Sequence, residues 1–426
     1  MADITIRQIE NALEAQDPLV TSLIIDLASQ PIPYEDKDGT PYREGAPTFP
    51  QFLSETRTSK FRKKSPEEQE KYRVQQVALL AQNDAEIPFP ERLKLHQVIL
   101  SLWQNEDPFS RETLKEVLKT VPLTYGPWRA LKIIFKKAEE INDTEIYAIL
   151  SARIDTAIIQ GSWSMYGSED APTRNTLLYM RRRAWQYLRR VGETLPAIYP
   201  DVASDFLCAY ESTFSRYHLR NSWVVAHIFF HEFGEYTRNR FKKVPTSLIK
   251  YRAFNEVWLR SPRPLFNLLE KAQSDVVLKF ATDALKTDFR ASLREVEPEW
   301  VVRLFSVQSN VVHELAVWIL ENVPKFEQSA FRELGIHEGV LKLLDSNSQK
   351  ALKYVHEYVK THARDLEVDT LIHYAGAPQK LIASLAQDLI LERDARKDIG
   401  LDRWGQLINQ TNSADWVKKA ILKYFS

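Results

Sequence analysis

Two histidines, His227 and His231, stand four residues apart in the segment SWVVAHIFFHEFGEYTRNR. On a helix this spacing places both imidazoles on one face, as a zinc site requires. The zinc-peptidase pattern HExxH also needs a glutamate directly after the first histidine as its general base, and Ile228 occupies that position here. Because three phenylalanines flank the pair, packed histidines are the stronger interpretation. We therefore assign no metal ligand, no catalytic residue and no cofactor.

A second candidate is a basic helix over residues 173–191, TRNTLLYMRRRAWQYLRRV, with Gly192 as its predicted C-cap. Its predicted buried stripe is Leu177, Met180, Ala184, Leu188 and Val191. The residues assigned to a contact with an anionic partner are Arg174, Arg181, Arg182, Arg183, Arg189 and Arg190. Arginines flanked by Tyr179 and Trp185 suit phosphates and stacked bases, and they suit an acidic protein surface equally well. The competing interpretation pairs the arginines with carboxylates of neighbouring helices and places Trp185 in the core.

Two further polar segments are weaker candidates. Residues 57–64, RTSKFRKK, are a short basic run in front of a predicted helix start at Ser65. They either add to an anion-binding surface or form a solvated linker. Asp36 and Asp38 lie in the segment YEDKDGTPYREG, but their spacing does not match a calcium-binding loop, so we interpret them as a polar turn.

The composition excludes several classes of protein. Lys plus Arg and Asp plus Glu are 57 each among 426 residues, so a protein that is basic over most of its surface is not expected. The one cysteine, Cys208, excludes an internal disulfide and a cysteine-based zinc finger, and it suits a cytoplasmic location. With only 12 glycines and neither GxGxxG nor GxxxxGKS/T, dinucleotide and P-loop folds are disfavoured. No apolar run reaches the ~20 residues that span a bilayer, so no membrane association is predicted.

The elements that must position these residues are predicted to be helices almost throughout, interrupted by polar loops at residues 30–50 and 161–172. We expect an all-α protein with four parts. Residues 1–60 form a helical pair and a loop, and residues 61–160 form a helical region that contains one degenerate repeat at residues 129–155. Residues 161–261 contain the basic helix and a helical region rich in histidine and aromatic residues. Residues 262–426 form a repeat array.

Five segments of the repeat array share one pattern: an apolar cluster, a polar break, and a helix with apolar residues four apart. The polar breaks align at Ser274, Ser309, Ser348, Gln379 and Ser413. Periods of roughly 30 to 47 residues with two helices per unit are typical of α-solenoids. The central residue of each second helix is small: Ala281, Ala316, Val355, Ala386 and Ala420. A small residue there lets neighbouring helices pack closely. In the fifth segment the full buried stripe is predicted as Trp416, Ala420 and Tyr424.

This pattern resembles HEAT and armadillo repeats, which form an α-α superhelix, or solenoid, of stacked helix pairs. The resemblance covers residues 262–426 and rests on the apolar pattern rather than on a signature motif. The stretch TRNTLLYMRRRAWQYLRRVG is similar to a segment of uncharacterised bacterial HEAT-like proteins and transfers no catalytic residue. The HEAT class implies binding of another protein along the repeat surface, and some of its members bind nucleic acid.

The sequence thus favours a non-enzymatic interaction scaffold that binds another protein through a helical-repeat surface. The alternative is a nucleic-acid-binding repeat protein that uses the arginines of residues 173–191. An enzyme is the least supported class because no nucleophile motif such as GxSxG is present. The sequence does not specify an oligomeric state.

Overall fold

The computed structural model describes residues 4–30, 49–81, 91–165, 170–236, 243–409 and 414–425. Within these ranges the chain is helical, and its one β-type pairing is an isolated bridge between Ser164 and Thr173. The prediction of an all-α protein is therefore confirmed. The chain divides into two compact units, Met1–Ser261 and Pro262–Ser426. The polar turn predicted at Asp36 and Asp38 lies outside the described residues.

The first unit is built from helices joined mostly by short loops. Its helices are α1 (Ile6–Glu14), α2 (Val20–Ser29), α3 (Phe49–Thr56), α4 (Ser59–Arg62), α5 (Pro66–Ala81), α6 (Leu95–Gln104), α7 (Pro108–Thr120), α8 (Pro127–Ile141), α9 (Thr144–Gln160), α10 (Arg174–Thr194), α11 (Tyr199–Cys208), α12 (Val224–Phe230) and α13 (Asn255–Trp258). Single 3₁₀ turns span Glu91–Lys94, Pro196–Ile198 and Arg216–Arg220.

Helix α9 lies at the centre of the first unit, in contact with α7, α8, α10 and α11. Asn142 ends α8 in the left-handed conformation, with a φ of 57°. The side chain of Asp143 then caps α9 by accepting the N–H of Ile146 at 3.2 Å. The degenerate repeat predicted at residues 129–155 falls on this pair of helices, and the repeat itself stays a prediction.

Helix α10 runs past its predicted end. Gly192 is not the C-cap, because the helix continues to Thr194 and Gly192 is a buried interior residue. A β-carbon at this position would collide with the ring of Phe254, so the missing side chain serves packing rather than a left-handed turn. The helix ends just before Pro196, because the residue that precedes a proline disfavours the helical conformation.

Helical periodicity in the sequence predicts helices over residues 199–216 and 222–238, and the corresponding α11 and α12 are shorter in the structure. At the end of α12, the N–H of Ala253 donates to the carbonyl of Ile228 at 2.9 Å. The N–H of Glu232 donates to the carbonyl of Tyr251 at 3.0 Å. These bonds replace those that would continue the helix. Local periodicity does not predict them, because they come from a segment some twenty residues further along the chain.

The second unit is a succession of helix pairs. Its helices are α14 (Arg263–Lys271), α15 (Asp275–Asp288), α16 (Arg290–Arg294), α17 (Pro298–Leu304), α18 (Asn310–Asn322), α19 (His337–Leu341), α20 (Gln349–His362), α21 (Val368–Ala375), α22 (Lys380–Leu391), α23 (Gly400–Ile408) and α24 (Ala414–Phe425). Further turns are 3₁₀ at Gln328–Ala330 and Lys342–Asp345 and a π-turn at Ala395–Ile399.

In each pair a first helix packs against a second helix, and the second helices α15, α18, α20 and α22 pack on one another in succession. The residues that align in the sequence are the N-caps of these second helices: Ser274, Ser309, Ser348 and Gln379. Ser413 lies outside the described residues. The small central residues are all buried: Ala281, Ala316, Val355, Ala386 and Ala420.

The fifth pair differs from the predicted pattern. Val417 and Ala420 are the buried residues of α24, whereas Trp416 and Tyr424 are only half-buried. The indole of Trp416 lies instead edge-on to Trp404, with 6.2 Å between the ring centroids. The helix is thus turned so that the smaller Val417 enters the core and the large ring lies at its margin.

We expect Ala316→Leu to destabilise the second unit by ~1–3 kcal/mol, because α15 and α20 both pack on α18 and leave no space for a larger side chain. Urea denaturation followed by circular dichroism measures the change. Ala291→Leu, at an exposed position of α16, is the control and should stay within ~0.5 kcal/mol of wild type. Wild-type stability in Ala316→Leu would contradict close packing at this position.

Candidate interaction surfaces

Arg181 is the arginine of α10 that the structure buries. Its side chain forms an ion pair with Asp155 of α9, and both residues are buried. Asp155 also accepts hydrogen bonds from the hydroxyl of Tyr210, at 2.9 Å, and from that of Ser222. The guanidinium carbon of Arg181 lies 4.8 Å from the ring centroid of Trp223. Because its charge is paired inside the unit, Arg181 is not available to an external anion. It therefore does not belong to the predicted contact with an anionic partner.

The remaining arginines of α10 reach the surface, four of them beside an aromatic ring. The pairs, with the distance from guanidinium carbon to ring centroid, are Arg174 with Trp163 (5.5 Å), Arg183 with Tyr179 (5.8 Å), Arg189 with Trp185 (5.1 Å) and Arg190 with Tyr187 (5.4 Å). Such cation–π contacts restrict each guanidinium and shield one of its faces. The fifth, Arg182, is exposed and forms no ion pair with the described residues.

Carboxylates cover part of this arginine surface. Glu139 of α8 accepts a hydrogen bond from Nε of Arg183 at 2.7 Å and lies 3.9 Å from Arg190. Glu193 pairs with Arg189 at 2.9 Å. The structure therefore contains the pairing with neighbouring acids that was the competing interpretation of the sequence. Partly exposed pairs of this kind contribute only about 0–1 kcal/mol each, so they reduce the positive field more than they stabilise the fold.

The sequence contained a signal for the burial of Arg181. This residue stands four positions after Leu177 and three before Ala184, so it lies on the same helical face as the apolar stripe. Its neighbour Arg182 is rotated away from that face and is exposed. The partners Asp155 and Glu139 were missed because nothing local marks an acid as the counter-ion of a distant arginine.

His227 and His231 lie side by side in an aromatic core of the first unit. Their ring centroids are 4.7 Å apart, and His227 is fully buried near Trp185 and Phe254. Neither ring nitrogen of His227 has a hydrogen-bond partner in the described part of the chain. Burial lowers the pKa of His227 well below its ordinary value of 6.5, because the charged imidazolium would lose its hydration.

Across the described ranges, no three His, Cys, Asp or Glu side chains group so that they could hold a metal ion.

In the second unit, polar contacts join the first helix of every pair, or the turn that directly follows it, to the same part of the next pair. We call them the first-helix ladder: Trp300 with Glu270 (3.0 Å), Lys342 with Ser306 (3.1 Å), Tyr374 with Asp345 (3.0 Å) and Arg403 with Asp369 (2.8 Å). The partners are 30, 36, 29 and 34 residues apart in the chain. Each junction between consecutive pairs thus carries an equivalent link.

A groove of about 530 Å³ lies beside α19 and α21, on the first helices of the third and fourth pairs. The charged residues that line it are Arg332, Glu338, Lys342, Asp345, Asp365 and Glu367. Arg332 binds both carboxylate oxygens of Asp365, at 2.7 and 2.9 Å. Lys342 belongs to the ladder. The groove therefore has more carboxylates than cations to balance them.

Comparison with family models, with curated proteins and with solved structures finds no significant match to this chain. In the described ranges, no helix combines the length and the apolar character needed to cross a bilayer. The surfaces above are therefore interpreted from their own residues.

We expect Asp155→Ala to destabilise the first unit by ~3–5 kcal/mol, because it leaves the charge of Arg181 buried without a counter-ion. Chemical denaturation measures the loss. Glu193→Ala removes an exposed pair of the same helix and should cost no more than ~1 kcal/mol. If the two variants were equally stable, the Asp155 ion pair would have no structural role.

We expect the stability of the protein to fall as the pH drops below about 6.5, and His227 to contribute to that loss. Above this value the residue is neutral in both states. Below it the unfolded chain takes up a proton that folded His227, with its lowered pKa, does not accept. His227→Phe should make the slope of unfolding free energy against pH shallower by up to ~1.4 kcal/mol per pH unit between pH 6.5 and the folded pKa. His373→Gln, which removes a histidine at an exposed position, is the control against which the slope of His227→Phe is compared. An unchanged slope in His227→Phe would mean that this imidazole is charged in the fold.

Proposed function

We propose that the protein is a non-enzymatic interaction scaffold of the cytoplasm, whose second unit is a HEAT-like solenoid that binds another protein. The first-helix ladder is the observation that supports this proposal, since each helix pair is joined to the next in an equivalent way. When repeats contact only their neighbours, they build a long surface. Such a surface suits a macromolecule better than a small substrate.

The groove beside α19 and α21 is the part of this surface at which we expect binding. The side chain of Glu338 is 86% exposed, and Glu367 is exposed and has no ion-pair partner among the described residues. Tyr374 adds a half-buried aromatic ring to the lining. An excess of carboxylates beside an aromatic ring favours a segment rich in lysine or arginine. The proposed partner is therefore a protein with a basic segment.

Nucleic-acid binding through α10 is the alternative, and it has less support. Arg181 is buried, and three of the five exposed arginines have a carboxylate within 4 Å. The surface that remains is positive but small, and phosphate binding draws its affinity from the number of charges that it neutralises. Binding of DNA or RNA that weakens steeply with salt would favour this alternative.

We expect the groove variant Glu338→Lys/Glu367→Lys to lose the protein partner that the wild-type chain captures from its native cells. Two reversed charges repel a basic segment, and like-charge contacts at an interface cost several kcal/mol. The captured proteins are identified by mass spectrometry, and the interaction is then measured with the purified partner by calorimetry.

The matched control is Glu357→Lys/Asp388→Lys, which reverses two exposed carboxylates on the second helices α20 and α22, outside the groove lining. This control should bind the partner as wild type does. Equal loss in both double variants would assign the effect to net charge rather than to the groove. Retention of the partner by the groove variant would contradict the proposed site.

A further inference from the structure

A cleft in the first unit brings six basic side chains together. Its volume is about 360 Å³, and the cations that line it are Arg57, Arg62, Arg73, Arg129, Lys132 and Lys136. We propose that this cationic cleft binds a compact oligophosphate, either free or as the phosphate tail of a nucleotide. The proposal concerns a different unit from the protein-binding groove and does not depend on the scaffold function.

Helix α8 supplies one wall of the cationic cleft. Arg129, Lys132 and Lys136 are spaced three and four residues apart, so they share one face of this helix. Trp128 adds a buried indole, and the ammonium of Lys132 lies 6.0 Å from its ring centroid. A helix wall holds these cations in fixed relative positions, which a flexible loop would not do.

The basic run RTSKFRKK contributes two further cations to the lining, Arg57 and Arg62. Arg62 belongs to α4, and Arg57 is held in place by donating a hydrogen bond to the carbonyl of Ala171 at 2.7 Å. Two hydroxyls, those of Thr173 and Thr176, complete the lining at the first turn of α10. The N–H groups of Arg174 and Thr176 already donate to Ser164 and Thr173, so the positive field of the cleft comes from its side chains.

Among the described residues, Glu70 is the carboxylate that pairs with cations of the cleft. Glu70 of α5 accepts a hydrogen bond from Arg129 at 2.6 Å and lies 3.5 Å from Arg73. Glu70 does not line the cleft, and the described lining contains no carboxylate. Lys132 forms no ion pair with the described residues. Burial, reinforced by neighbouring cations, lowers its pKa to about 8. The cleft is therefore positive without a bound anion.

Folding alone gives no reason for such a cluster. Like charges gathered in a half-buried cleft destabilise the fold, and natural proteins break such local rules mainly at functional sites. Arginine binds phosphate with two parallel hydrogen bonds, and lysine adds a compact charge. A ligand with several adjacent negative charges can contact several of these cations at once. A single carboxylate or a monophosphate would leave most of them unbalanced.

The test is isothermal titration calorimetry of the full chain at low ionic strength with tripolyphosphate, ATP, AMP and poly-glutamate. We expect tripolyphosphate and ATP to bind and AMP to bind at least tenfold more weakly, because a monophosphate reaches fewer cations. Comparison of tripolyphosphate with ATP shows whether the free anion or the nucleotide binds better. AMP that binds as tightly as ATP, poly-glutamate that binds more tightly than tripolyphosphate, or no binding of tripolyphosphate would each overturn the proposal.

Three variants locate the binding. Lys132→Met and Lys136→Gln should each weaken tripolyphosphate binding, Lys132→Met by about tenfold, because each removes a charged hydrogen bond to the ligand. Lys137→Gln is the matched control, since Lys137 is exposed on the same helix but does not line the cleft, and it should bind as wild type does. Lys132→Met should also raise the melting temperature of the ligand-free protein, because it removes a charge that nothing compensates. Wild-type affinity in both cleft variants, or equal weakening in Lys137→Gln, would overturn the site.

Discussion

The buried carboxylate of Asp155 is the constraint on which the first unit depends. A charge without water must be balanced, and Arg181 balances it, while hydroxyls of Tyr210 and Ser222 satisfy its remaining acceptor capacity. These partners come from α10 and from the segments on either side of the 3₁₀ turn before α12. The pair therefore fixes how α10 is rotated against α9. That rotation decides which of the other arginines reach solvent.

Much of the fold could be predicted from the sequence because helix periodicity and caps are local. Asp143 marks the start of α9, and serines mark the starts of α15, α18 and α20. The sequence-based predictions are wrong where a helix contacts a segment that is distant in the chain. Backbone bonds from residues 251–253 end α12 early, and the ring of Phe254 accounts for Gly192 inside a helix. Such contacts join residues far apart in the chain, so no window of sequence contains both partners.

The candidate site was less predictable than the fold, and the reason is again the distance between partners. A run of basic residues gives the charge but not its counter-ions. Arg181 and Arg182 are adjacent, yet one is paired in the core and the other is exposed. The basic run at residues 57–64 is a weak candidate in the sequence alone. In the structure, two of its residues, Arg57 and Arg62, line the same cleft as the cations of α8. The net charge of the chain gave no indication of this arrangement, because an overall charge of zero does not describe how charges are distributed over the surface.

The overall charge of zero conceals surfaces of opposite sign, and the two proposed ligands, a basic segment and an oligophosphate, follow from them. The cationic cleft of the first unit is lined by six basic side chains, two of which pair with Glu70 beside it. The groove of the second unit has more carboxylates than cations. An anion that fits the cleft is repelled by the groove, and a basic segment that fits the groove is repelled by the cleft. If both proposals hold, charge alone directs each ligand to its own surface.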